Sequence, residues 1–194
     1  MELPKRKPTR LRNYDYNIPG AYFITICTQD KRQILSRIVG GDVPDAPQST
    51  TNTTATHKSV GGDVLDAPNS VKLLPHGEIA DKYINQLSNF YDDIKVEHYV
   101  IMPNHIHILL FVYDRVAFEN GASRTSPPTE KQHAAVSHFV STFKRFCNKE
   151  YGNNIWQRHF NDHIIRNRQD LEEHIKYISE NPMKWQADPL FAKE

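Results

Sequence analysis

The pattern of apolar and polar positions predicts four β-strands, each a short apolar run bounded by turn residues. These runs occupy residues 22–27, 96–101, 105–112 and 160–165. Only Met102-Pro103-Asn104 separates the second run from the third. This spacing predicts a β-hairpin over residues 96–112.

Three other stretches repeat apolar residues every three or four positions, as amphipathic helices do. They cover residues 76–91, 136–147 and 168–181. Asn167 is placed to cap the last helix at its start, and Pro182 limits it at the other end. The element order is that of a split βαβ pattern in the α+β class. It predicts a ferredoxin-like or RRM-like fold, with helices packed on one face of a central antiparallel sheet.

Two polar stretches interrupt these elements. The segment VGGDVPDAP at 39–47 is nearly repeated as VGGDVLDAP at 60–68. Two copies rich in Gly, Pro and Asp are too few for a solenoid, so we interpret 39–70 as a duplicated surface insertion. A second polar loop is expected at about 114–131. The length of 194 residues then fits a single domain, 1–194, that carries both loops.

Composition narrows the class of protein only slightly. The net charge of +1 does not indicate a nucleic-acid-binding protein, although residues 1–12 carry five basic residues against one acid. This basic segment either neutralises phosphates or is a solvated tail. The two cysteines lie in apolar stretches and indicate buried thiols. No apolar run approaches the ~20 residues of a membrane span, and no secretory signal is apparent, so we expect no membrane partner and a cytoplasmic location.

His105 and His107 share one face of their predicted strand, because alternate side chains of a strand point the same way. Ile106 and Ile108 then point to the other face, towards the core. The Cα atoms of the two histidines would lie ~7 Å apart, and neutral imidazoles at that separation can converge on one metal ion. A His-x-His pair on a strand is also commonly just two polar residues on a half-exposed sheet. A structural zinc is not indicated, since no cysteine or HExxH pattern accompanies them.

The last predicted helix carries a second polar feature. Tyr177 and Asn181 lie one turn apart, beside the apolar stripe of the helix. They would project from the edge of the helix, where they could reach the exposed face of the sheet. The alternative is a tyrosine at the boundary between core and water, a common position for this residue.

Several segments, taken in order, resemble the REP-associated tyrosine transposases, which belong to the IS200-like single-tyrosine transposases with a histidine–hydrophobe–histidine (HUH) motif. They are RLRNYDY at 10–16, GAYF at 20–23, YVIMPNHIHILL at 99–110, IWQR at 155–158, DHIIRN at 162–167 and KYISENP at 176–182. The resemblance covers nearly the whole chain apart from 39–70 and 114–131.

The resemblance implies an HUH endonuclease fold with His105, His107 and Asn181 as metal ligands and Tyr177 as the nucleophile. It implies a transposase that cuts single-stranded DNA at hairpin-forming repeats through a 5′-phosphotyrosine intermediate. The expected cofactor is Mg²⁺ or Mn²⁺. The expected partner is single-stranded or hairpin DNA of the nucleoid, bound by a monomer or a homodimer.

Candidate DNA contacts combine basic and aromatic residues, which can track phosphates and stack on bases. They are Arg10, Arg12, Tyr14, Lys144, Arg145 and Arg158. Two other functions remain open from the sequence. One is a non-enzymatic single-stranded nucleic-acid-binding module with an RRM-like sheet, because a fold does not determine a function. The other is a hydrolase that activates water with its metal and forms no covalent intermediate.

Overall fold

The computed structural model describes residues 18–39, 70–113 and 135–191. Its helices and strands are β1 (Gly20–Cys27), β2 (Ser36–Val39), β3 (Ser70–Leu73), α1 (Pro75–Phe90), β4 (Ile94–Ile101), β5 (His105–Val112), α2 (Ala135–Tyr151), β6 (Asn161–Ile165) and α3 (Arg168–Glu180). The four predicted strands and three predicted helices are confirmed in type and order. Most of the duplicated insertion, the whole 114–131 loop, and Arg10, Arg12 and Tyr14 lie outside the described residues.

Four strands form an antiparallel sheet in the order β4-β5-β1-β6. The predicted β4–β5 hairpin is confirmed, and the fold is of the predicted α+β class. Strand β1 lies between β5 and β6, so that Thr25 is paired with His107 on one side and with Asn161 on the other. At the end of β1, Cys27 is paired with His105. The two histidines of β5 therefore lie beside the end of a central strand.

One face of the sheet is covered by α1 and α2. The alternation predicted for β5 is confirmed, since Ile106, Ile108, Leu110 and Val112 all belong to the large apolar cluster on this face. Helix α2 adds Phe139 and Phe143 to the same cluster. This face is therefore an apolar core of the usual kind.

The expectation that helices pack on one face alone was wrong, because α3 covers the opposite face and contacts β4 and β5. A smaller apolar cluster of Phe23, Leu109 and Ile178 joins α3 to the sheet. Phe23 and Leu109 are buried on this second face, which requires an apolar partner there, and the stripe of α3 supplies it. The sheet is thus enclosed between two unequal helical layers.

The ends of α3 follow the predicted signals in part. The side chain of Asn167 accepts a hydrogen bond from the backbone N–H of Asp170 at 2.9 Å, as expected of an N-cap. At the other end the α-helix stops at Glu180, and the chain continues as a 3-10 helix over Asn181–Ala187. Pro182 lacks an N–H and cannot extend the α-helical hydrogen bonding. This tighter segment returns the chain towards β5.

Two further features frame the sheet. Strands β2 and β3 pair as a separate antiparallel ribbon, which sequence patterning did not predict. At the start of α1, Gly77 lies so close to the carbonyl oxygen of Leu35 that any Cβ at this position would overlap it. None of the described helices is long and apolar enough to cross a membrane.

Candidate active site

His105 and His107 point from β5 towards the α3 layer, and both are buried. Their Nε2 atoms face each other at 3.0 Å. Burial lowers the pKa of each imidazole to about 3, so both rings are neutral at physiological pH. The prediction that the two rings share a face is confirmed, but they are enclosed rather than half-exposed.

Neighbouring hydrogen bonds fix the tautomer of one ring. Asn104 donates its Nδ2 to the carbonyl of Leu190 at 2.9 Å, so its Oδ1 is the atom that faces Nδ1 of His105 at 2.8 Å. Because Oδ1 can only accept, Nδ1 of His105 carries the proton and its Nε2 offers a lone pair. Nδ1 of His107 contacts the hydroxyl of Thr25 at 2.9 Å. The 3.0 Å contact between the two Nε2 atoms is then a hydrogen bond that His107 donates, so Nδ1 of His107 accepts from Thr25. Metal binding would require the other tautomer of His107, in which Nδ1 donates to Thr25 and both Nε2 atoms offer lone pairs.

Asp188 is the acid that joins this pair. Ligand atoms of His105, His107 and Asp188 lie within 4.8 Å of one another, and all three residues are buried. Sequence patterning held no signal for Asp188, because helical periodicity stops at Pro182 and the 3-10 helix brings the carboxylate back. The set of two imidazoles and one carboxylate is suited to a divalent metal ion.

Asn181, the third ligand expected from the resemblance, is only 2% exposed. Its Nδ2 donates to Oδ2 of Asp188 at 3.0 Å. Its Oδ1 is buried and has no hydrogen-bond partner among the described residues. A buried carbonyl oxygen without a partner is costly, and amide oxygens are good ligands for hard divalent ions. The side chains present therefore fit a divalent metal with mixed nitrogen and oxygen ligands.

Tyr177 lies at the open side of this cluster. Its hydroxyl donates to Oδ2 of Asp188 at 3.3 Å, and its ring lies 5.1 Å from that of His107. The side chain is 39% exposed and borders a groove of about 380 Å³. Burial and the negative charge of Asp188 raise the pKa of the phenol. The hydroxyl is thus protonated in the resting protein, with a carboxylate beside it to accept the proton.

Phe23 packs between the groups of the site. Its ring stacks on His107 with centroids 5.0 Å apart, and Tyr177 meets it edge-on at 6.0 Å. His174, one turn before Tyr177 on α3, contacts the same ring at 4.6 Å. This aromatic packing ties the position of the tyrosine helix to that of the histidine strand.

Three of the residues suggested as DNA contacts line one groove of about 430 Å³ beside α2: Lys144, Arg145 and Arg158. The Lys144 ammonium donates to the carbonyls of Gln157 and His159, at 2.8 Å and 3.1 Å, and so holds the turn that carries Arg158. Burial lowers the pKa of Lys144 to about 8. Arg145 and Arg158 are exposed and remain candidates for contacts with phosphates.

Comparison with known proteins gives a consistent picture. No protein-family model matches the chain. An uncharacterized protein of Haemophilus influenzae is 23% identical over 195 residues, covering 96% of this chain and 93% of the relative. A second protein of the same organism, named "Putative REP-associated tyrosine transposase", is 31% identical over 109 residues, which is 53% of this chain and 60% of the relative.

Among solved structures, the chain resembles a REP-associated tyrosine transposase bound to a REP hairpin. The TM-score is 0.55 at 18% identity, over 91% of this chain and 73% of the other. At this low identity, the structural likeness shows a shared fold alone. The resemblance inferred from the sequence segments is therefore confirmed: the chain has the fold of a REP-associated tyrosine transposase and is similar in sequence to a protein that bears that name.

Proposed function

We propose that this chain is a metal-dependent transposase that cuts and rejoins single-stranded DNA through Tyr177. One observation carries the proposal. The hydroxyl of Tyr177 lies 3.3 Å from Asp188, and Asp188 shares a buried cluster with His105 and His107. A nucleophile and a set of metal ligands thus meet at one carboxylate.

His105, His107 and Asp188 would hold the ion, with Oδ1 of Asn181 as a further ligand. Mg²⁺ and Mn²⁺ both suit oxygen-rich sets, and the imidazoles favour Mn²⁺ in vitro. When bound, the ion would neutralise and polarise the scissile phosphate. The protein itself buries the histidines on the sheet side, and the groove beside Tyr177 leaves the site open on the other side.

In the cleavage step, the Tyr177 oxygen attacks phosphorus and the bond from phosphorus to the 3′ oxygen breaks. The phenol proton passes to Asp188, which then gives it to the departing 3′ oxygen, so that the strand leaves with a free 3′-hydroxyl. The 5′ phosphate stays on Tyr177 as a phosphodiester. A phenol has a pKa near ~10, so its anion is a better leaving group than an alkoxide. A DNA 3′-hydroxyl can therefore reverse the step and rejoin a strand without ATP.

The partner we propose is hairpin DNA with a single-stranded flank, since the structural relative is bound to a REP hairpin. The basic groove, lined by Lys144, Arg145 and Arg158, lies on the α2 side of β1. It is at the same end of β1 as the histidines. Gln157 donates its backbone N–H to the carbonyl of Cys27 at 2.9 Å, and Cys27 is paired with His105. A strand that enters the site could thus be held by Arg145 and Arg158 on the other side of β1.

The alternative of a simple RRM-like binding module has less support. Such modules bind nucleic acid on an open sheet face carrying aromatic side chains. Here α3 packs on that face against Phe23 and Leu109, so the face is covered by a helix where such modules leave it open.

Covalent capture tests the proposal. Labelled single-stranded hairpin DNA mixed with the protein and Mn²⁺ is expected to give a protein–DNA band that survives denaturation. EDTA should remove the band, and His105→Ala should abolish cleavage in Mg²⁺. A binding module would give no such band, and a hydrolase that uses water would cut the DNA without forming it.

A further inference from the structure

A second group of metal-ligating side chains lies at the start of α3, outside the candidate active site. His163 comes from β6, and Asp170 and His174 come from α3. Ligand atoms of the three residues lie within 4.8 Å of one another. Among the described residues, this is the second of two groups in which His, Cys, Asp or Glu could hold a metal ion.

Both imidazoles direct a nitrogen at the same carboxylate. Nε2 of His163 lies 2.9 Å from Oδ1 of Asp170, and Nδ1 of His174 lies 3.1 Å from the same oxygen. The two rings stack with centroids 4.6 Å apart and an angle of 15° between their planes. Neighbouring ligands of a tetrahedral ion with bonds of about 2.0 Å lie about 3.3 Å apart. The two nitrogen–oxygen distances are thus near the spacing that one ion would impose, and all three ligand atoms lie within 4.8 Å of one another.

The carboxylate is ready to act as a ligand. Oδ2 of Asp170 accepts a hydrogen bond from the backbone N–H of Arg166 at 3.0 Å, which fixes the carboxylate beside the two imidazoles. The group is also open to solvent, because the side chain of His163 is 50% exposed. An ion could therefore enter from water and keep water in its remaining position, as open zinc sites do.

We propose that His163, Asp170 and His174 form a second metal site, for a borderline transition-metal ion such as Zn²⁺. Two imidazoles favour Zn²⁺ over Mg²⁺, and a carboxylate completes a common three-residue zinc set. Nδ1 of His174 donates to the carbonyl oxygen of Asp170 at 2.8 Å, so metal binding would release the proton of this nitrogen and replace that hydrogen bond.

The ion would act as a clamp between β6 and α3. His174 lies one turn before Tyr177 and packs on Phe23, which stacks on His107. Fixing His174 to His163 therefore fixes the helix that carries the tyrosine. The second site shares no ligand with the first, and its existence does not depend on the proposed function.

Metal stoichiometry tests this site directly. The variant His105→Ala/His107→Ala removes the first group, and Co²⁺ or Zn²⁺ is then titrated with visible absorption of Co²⁺ and Tm as readouts. This variant is expected to bind one equivalent, and Zn²⁺ a hundredfold above Kd should raise Tm by about 5–10 °C. Adding His163→Gln should remove both the bound equivalent and the rise in Tm. His159→Gln, which removes an exposed imidazole nearby, should change neither.

Two results would overturn the site: no metal bound by the His105→Ala/His107→Ala variant, or the same stoichiometry with and without His163. If circular dichroism finds that variant unfolded, the otherwise unmodified chain decides the question. Two equivalents that fall to one in His163→Gln support the site, and an unchanged number refutes it. Covalent capture of DNA is measured separately, so failure of the second site is distinguishable from failure of the proposed chemistry.

Discussion

The two faces of the central sheet bury different kinds of side chain. Against α1 and α2, β5 buries Ile106, Ile108 and Leu110 within a large apolar cluster. Against α3, the buried apolar cluster of the described residues is smaller and consists of Phe23, Leu109 and Ile178. The same side also buries a set of polar residues beside the ring of Trp185: Thr25, His105, His107, Asn181 and Asp188.

This difference indicates a division between the two faces of the sheet, in which one face stabilises the fold and the other carries the chemistry. Burying polar groups is costly unless each finds a partner, and even then the net gain is small. The apolar face supplies the burial that stabilises the fold, which allows the second face to hold a polar cluster. Changes to the polar residues on the α3 face should therefore affect chemistry more than stability, and changes on the other face the reverse.

The sharpest test of this division is Tyr177→Phe. It removes the nucleophile while keeping the ring that packs on Phe23, so covalent adduct should fall at least ~10³-fold with Tm almost unchanged. Binding of hairpin DNA, measured by fluorescence anisotropy, should stay near that of the unmodified chain. A variant that still forms 5′-linked adducts would remove Tyr177 from its proposed role.

The next largest effect is expected from Asp188→Asn. The amide retains the shape of the side chain but loses the charge that accepts the phenol proton and joins the histidines. Adduct formation should slow by about 10²–10⁴-fold, the usual range for loss of a general base. Glu180→Gln is the matched control, because Glu180 borders the same groove and pairs with Lys184 at 2.7 Å. Equal rates for the two variants would contradict the role of Asp188.

Much of the fold was predictable from local patterns. Alternation along 105–112 correctly assigned Ile106 and Ile108 to the core and the two histidines to the other face. The cap at Asn167 followed from its side chain and its position before a helical period. These signals are local, because strand alternation and helix capping depend on neighbours only a few residues away.

The parts that could not be predicted depend on long-range packing. Asp188 reaches the histidines only because a 3-10 helix over Asn181–Ala187 follows α3, and no periodic pattern marks that turn. The side of the sheet on which α3 packs is set by Phe23 of β1 and Leu109 of β5 together. The Asn181 amide was expected from the resemblance, and its role as a ligand remains a prediction.

A pair of adjacent residues allows the two faces to be compared directly. Ile108 and Leu109 are both fully buried, one on each face. Ile108→Ala should lower the free energy of unfolding by about 3–5 kcal/mol, and Leu109→Ala by about 2–3 kcal/mol, because its apolar cluster is smaller. Urea unfolding measures both values.

Adduct rates per folded molecule complete this comparison. Ile108→Ala should leave the rate unchanged, since the side chain lies in the apolar cluster on the opposite face of the sheet from Tyr177. Leu109→Ala should slow it severalfold, because α3 loses part of its support and Tyr177 shifts from Asp188. The same rate for both variants would refute the division between the faces.

The smallest effects are expected on the α2 side of β1, where Arg145 and Arg158 border the basic groove. If each contacts one phosphate, Arg145→Ala and Arg158→Ala should each weaken binding of hairpin DNA severalfold, and the slope of log K against log salt should fall by about 1. Adduct formation at saturating DNA should not change, because neither residue touches the reacting groups. A lower rate at saturation, with unchanged affinity, would place catalytic groups on this side of β1 and would break the assignment of chemistry to the α3 face alone.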